Sequence, residues 1–155
     1  MIAYYEFTQA LHDHFIADED VNTVTEGRDD DIDSGKQTIF PLVNFMVSDA
    51  QRILGIWRMT VNIKLIDIVD INNDDLPKDI NSWKGHANKQ DVLNTMLGVG
   101  ENFDKELQQG TLNDLGYELN GDIVWNRAED LGKNLLTGWQ TTITVDVPNT
   151  IQNCV

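Results

Sequence analysis

The chain has 155 residues, 41% of them hydrophobic, and a formal charge of −15 at pH 7. That length and apolar content fit one folded domain over residues 1–155 with a sizeable core, and exclude a disordered acidic tail. So acidic a surface repels nucleic acid and anionic membranes when the chain acts alone.

No apolar run approaches the roughly 20 residues that cross a bilayer. "MIAYYEFTQALHDHF" has neither the basic start nor the long apolar stretch of a secretion signal. The lone cysteine, Cys154, forms no internal disulfide and points to a reducing compartment. A soluble protein made in a cytosol is therefore expected.

Tyr4, Phe7, Leu11 and Phe15 recur at helical spacing and predict a first helix with one apolar face. His12 and His14 fall off that stripe and are expected to face solvent. "DEDVNTVTEG" reads as a short extended piece. "TIFPLVNFMV" is apolar and β-rich, and Pro41 within it predicts an edge or a bulge.

"WRMTVNIKLIDIVD" is the clearest strand. Trp57, Met59, Val61, Ile63 and Leu65 alternate with Arg58, Thr60, Asn62 and Lys64, giving one buried and one wet face. The alternation fades from Ile66 to Ile71, as a register change or burial on both faces would produce. Residues 72–91, with Pro77 and Gly85, form a long polar connection of the kind that binds something or is covered by a partner.

Val92, Leu93, Met96, Leu97, Gly100, Phe103 and Leu107 predict a second helix, capped by Asn88 and stopped by Gly110. Asn120-Gly121 predicts a hairpin turn. "AEDLGKNLL" reads as short helix or strand. Trp139, Ile143, Val145 and Val147 alternate with Gln140, Thr142, Thr144 and Asp146 in a last strand ending at Pro148. The order predicts an α+β fold: a mostly antiparallel sheet with an N-terminal and a central helix packed on one side.

Acid is unevenly spread. Residues 1–35 hold ten Asp or Glu and a single base, Arg28. In "TEGRDDDIDSGKQT", Asp29, Asp31 and Asp33 match the first three ligand positions of a calcium loop. Ser34 then stands where that loop needs glycine, and Phe40 where it needs a bidentate glutamate. A phosphate loop fails in the same stretch at Asp30 and Gln37.

Ser34, Ser48 and Ser82 occupy no nucleophile elbow, and no carboxylate pair stands out for glycosidase chemistry. His86 has no partner that the sequence identifies, and one cysteine with three histidines shows no zinc spacing. Trp57 and Trp139 are in phase with core positions, whereas Trp83 in "DINSWKGH" has the setting of an interface anchor.

Three stretches carry a resemblance. They are the first helix leading to "VNTVTEG…DIDSGKQTIFPLVNFMV", the strand "MTVNIKLIDIVD" followed by "KQDVLNTML", and the end "LLTGWQTTITVDVPNTIQNC". Together they cover most of the chain. In style and order they resemble bacteriophage tail-completion proteins of the tail terminator type, which join tail to head.

The resemblance implies a non-enzymatic α+β subunit of the virion, with no cofactor and no catalytic residues. It implies a ring, usually a hexamer, that caps the tail tube, meets a neck or head-completion protein and passes DNA without binding it. Glu26, Asp29, Asp30, Asp31 and Asp33 are then expected to face the channel. Arg28, Lys36, Trp83, Lys84 and His86 are expected at a subunit or neck interface. Two other readings stand beside this one. In the first, Asp29, Asp31 and Asp33 form a calcium or magnesium site in a binding module or enzyme. In the second, the chain is an acidic decoy for a nucleic-acid-binding partner.

Overall fold

The alternation in "WRMTVNIKL" builds the central strand of a six-stranded sheet. A computed structural model describes residues 2–28, 40–68, 89–129 and 136–149. In chain order these form α1 (Ile2–Ile16), β1 (Thr23–Glu26), β2 (Leu42–Ile53), β3 (Ile56–Ile68), α2 (Lys89–Gln109) and α3 (Thr111–Asp114). Then follow β4 (Glu118–Asn120), β5 (Asn126–Glu129) and β6 (Leu136–Pro148).

The sheet runs β1-β2-β3-β6-β4, with β5 also paired to β6. Among the described strands β1 and β2 run parallel, and every other pair is antiparallel. The fold is α+β with a mostly antiparallel sheet, as expected.

Both long helices cover the same face. Phe7, Leu11 and Phe15 of α1 and Val92, Met96, Phe103 and Leu107 of α2 share one core with Met59, Val61, Ile63 and Leu65 of β3 and Ile143, Val145 and Val147 of β6. Burying each such side chain contributes roughly 1.5–3 kcal/mol, so this layer supplies most of the driving force. Phe15 and Phe103 stack at 5.1 Å and tie the two helices together.

The fading alternation after Leu65 is burial on both faces. Leu65 points into the main core, while Ile66 joins Phe40 and Leu42 in a second cluster on the opposite face.

Several expectations need correction. Asn120-Gly121 makes no hairpin: β4 and β5 both pair with β6 in the same direction. Residues 121–125 are a detour in one interrupted edge strand, and Gly121 turns it with a φ of 96°. The real two-residue hairpin joins β2 to β3 at Leu54-Gly55, because β2 continues through "SDAQRI" to Ile53.

Pro41 sits just before β2, and its carbonyl accepts from Asn22 and Thr23. The irregularity in β2 lies instead between Val47 and Asp49. On α1, Tyr4 is 37% exposed and Ala3 takes its place in the core. On α2, Leu97 is exposed and Val99 is buried, and the helix already begins at Lys89, inside the stretch read as a connection. Gly110 ends α2 as expected, and α3 starts beside it. Asn88 and most of "AEDLGKNLL" lie outside the described residues.

The detour at 121–125 places Trp125 on α2. Its indole Nε1 donates to Asp104 Oδ2 at 3.3 Å, and its ring lies where a Cβ on Gly100 would meet it at 2.9 Å. Gly100 is thus the seat of the indole. Gly100→Ala is expected to push Trp125 outward and lower stability by about 1–3 kcal/mol, the usual range for overpacking, measurable by urea unfolding followed through tryptophan emission.

Candidate functional site

Beyond the Phe40–Leu42–Ile66 cluster, the face of the sheet away from the helices is polar. Arg58 donates to both carboxylate oxygens of Asp146, at 2.8 and 3.1 Å. With its amide oxygen turned to the guanidinium, Asn120 accepts two further bonds at 2.9 and 2.7 Å. The Asp146 hydrogen bonds hold the Arg58 pKa above its ordinary value. Thr142 donates to Asn62 at 2.8 Å, and the buried Asn44 donates to Thr25 at 2.9 Å.

Among these groups lies an open depression of about 540 Å³ lined by Arg28, Asn44, Asn62, Lys64, Asn126 and Gln140, with others. Amides, hydroxyls and two cations make it a hydrogen-bonding surface. Among the described residues it holds no nucleophile–base pair, and no group of three metal-ligating side chains occurs among them.

Two of the sequence-predicted site residues are described, and the structure separates them. Glu26 ends β1 opposite Phe45, on the helix side, near Tyr4 and Tyr5. Burial first, and the Glu26 carboxylate second, raise the pKa of the Tyr4 phenol. Gly27, with a φ of 114°, turns the chain, and Arg28 follows on the rim of the polar depression. Asp29, Asp30, Asp31, Asp33, Lys36, Trp83, Lys84 and His86 lie outside the described residues.

Two features escaped the sequence reading. One is a groove of about 840 Å³ beside α1 and α3, lined by Ala3, Ala10, Leu112, Leu115, Tyr117 and Pro148 among others, with Glu6, Asp13 and Glu106 also on its walls. The other is the tip of the β2–β3 hairpin. Leu54 is fully exposed there and has a φ of 38°, with Gly55 at 88°. Positive φ at both turn positions matches the twist of the flanking strands, but leucine in that region costs about 1–2 kcal/mol. The signals were present: a two-residue Leu-Gly step between β-like runs, and alanines seven residues apart at Ala3, Ala10 and Ala17.

His14 was expected in solvent and is instead half-buried. Its ring lies 5.1 Å from that of Phe15 and 5.6 Å from that of Phe103, and its buried Nε2 has no partner among the described residues. Burial lowers its pKa, with Glu106 and Asp18 opposing the shift. A histidine whose folded pKa is depressed favours folding while neutral. That stability is fully present above about 6.5, the unfolded value, and is lost as pH falls through the folded value.

Thermal stability is therefore expected to weaken as pH drops below about 6.5, and His14→Gln should flatten the profile there. Asp67 and Asp104, whose carboxyls burial pushes up, act with the opposite sign in the lower carboxylate range. An unchanged profile in His14→Gln would assign the acid sensitivity elsewhere.

No protein-family model matches the chain, and no curated protein matches it.

Proposed function

We propose that the chain is a structural virion protein of a tailed bacteriophage, of the tail-terminator kind. In this reading it forms a ring, usually a hexamer, that caps the tail tube, joins it to a neck or head-completion protein, and lets DNA pass without gripping it.

One observation carries the reading: β2 is a long strand with a bare edge. Its four-residue partner β1 covers Leu42–Phe45, and from Met46 to Ile53 the outer edge has no partner strand among the described residues. The opposite side of the sheet is ended by β4 and β5, which are three and four residues long and broken by a detour.

Short, interrupted strands are how a sheet protects an edge, whereas a long bare one favours a partner. The two sides of the sheet differ, so copies that meet through them do so head to tail. Such contacts close into rings when the rotation permits. The strong acid bias supports a channel role, since carboxylates facing a bore repel phosphate and keep transit fast. On that ground the proposal assigns Glu26, Asp29, Asp30, Asp31 and Asp33 to the channel, and Arg28 to a subunit or neck interface.

Native mass spectrometry and electron microscopy of the purified protein, with antibody labelling of virions, test the proposal. A closed ring and label at the head end of the tail are expected. A chain that remains monomeric at high concentration and is absent from purified virions refutes it. A ring with the 29–33 segment on its outer rim refutes the channel placement alone.

A further inference from the structure

Leu54 caps a hairpin tip whose flanking residues, Ile53 and Ile56, are also apolar and partly exposed. Such a tip gains by being covered, since a left-handed leucine open to solvent serves neither the turn nor the core. The same chain carries the groove beside α1 and α3, open among the described residues, with apolar walls from Ala3, Ala10, Leu112, Leu115 and Pro148.

We propose that the Ile53–Ile56 tip of one copy docks into the α1/α3 groove of a second copy. The inference rests on the reading that copies of this chain self-associate, and adds a second contact beside the one proposed for the β2 edge.

Shape and charge both favour this occupant. The tip offers a compact apolar knob, and the groove offers a trough with Leu115 at 54% exposure on its rim. On a chain of net charge −15, the segment from Ala50 to Arg58 carries two arginines and no acid. Arg58 is engaged by Asp146, whereas Arg52 forms no salt bridge among the described residues. The groove supplies what Arg52 lacks, in Glu6, Asp13 and Glu106.

Among the described residues, none of the tip lines the groove of its own chain. The β3–β6 register sets Ile56 opposite Pro148, a groove residue, so the tip lies beside the groove of its own chain without lining it. Knob and groove are different surfaces. Their contact is head to tail, and it repeats around an assembly with each subunit giving one tip and receiving one.

Leu54→Cys and Leu115→Cys, each made in a Cys154→Ser background, are mixed and oxidised. A disulfide-linked dimer that needs both variants is expected, with none when Val124→Cys replaces Leu115→Cys. In parallel, Leu54→Asn creates the Asn-Gly pair that this turn prefers. Its melting temperature is expected to rise while self-association weakens at least about tenfold. Added salt should weaken the wild-type contact further, through Arg52.

No cross-link, together with wild-type association by Leu54→Asn, overturns the docking; if the wild type still forms rings, the ring reading stands without it. A tip–groove cross-link in an assembly that never closes into a ring, or is absent from virions, supports the docking and removes the terminator reading. A wild type that is monomeric at every concentration overturns both.

Discussion

Gly138→Ala is expected to unfold the protein or nearly so. Gly138 pairs with Ile66 in the β3–β6 ladder, where the two strands approach closely. A Cβ at this position would overlap the Leu65 carbonyl oxygen and sit 2.8 Å from its carbonyl carbon and 3.0 Å from Ile66 Cα. These neighbours are backbone atoms of the central strand, so no side-chain rotation relieves the clash. The strands must part, and the adjacent Leu65–Trp139 pair parts with them.

Trp139 donates its indole N–H to the Leu93 carbonyl at 2.8 Å, so the start of α2 is disturbed as well. The loss should reach about 3 kcal/mol or more, against the 5–15 kcal/mol on which such a domain stands. Urea unfolding measures it, or the soluble yield if no folded protein survives. Stability close to wild type would mean that the two strands separate at this point at little cost.

Phe103→Ala is expected to cost about 3–5 kcal/mol, because the ring is fully buried between α1 and the sheet and the cavity it leaves is walled by rigid elements. The substitution has a second signature. Phe103 is one of the two aromatic rings that shield His14, so its removal admits water to the imidazole. The His14 pKa should move back toward its ordinary value, and the loss of stability below about pH 6.5 should shrink. A variant that is less stable but keeps the full wild-type pH dependence would assign the shielding to Phe15 alone.

The strands of one-sided burial could be read from the sequence because their side chains obey a period of two. Trp57 to Leu65 and Trp139 to Val147 needed no tertiary information to be placed on a face. Where the sequence misled, a nonlocal contact had replaced the local rule. Asn120-Gly121 carries the chemistry of a hairpin turn, yet β6 offers edge to both flanking segments, and Trp125 draws the intervening residues toward Gly100.

His14 lies off the apolar stripe of α1, but α2 packs close enough to enclose it. At the β2–β3 tip leucine is a poor turn former at positive φ, which left Gly55 as the local signal of the turn. The acidic stretch that dominates the sequence contributes only its flanks, Glu26 and Arg28, to the described structure. On those two residues the chain turns from the helix side of the sheet to the polar side.

The pairing of β3 with β6 also bears on how the protein reaches its fold. The Arg58–Asp146 bond joins residues 88 apart in the chain, whereas the neighbouring β2–β3 ladder closes across two. Contacts of such unequal reach form on different timescales, the local hairpin within microseconds and the distant ladder only after a large loss of chain entropy. For much of that interval β3 presents a raw second edge of apolar, β-branched residues. The nascent or heat-stressed chain is therefore most vulnerable to aggregation through the strand that becomes the centre of its sheet.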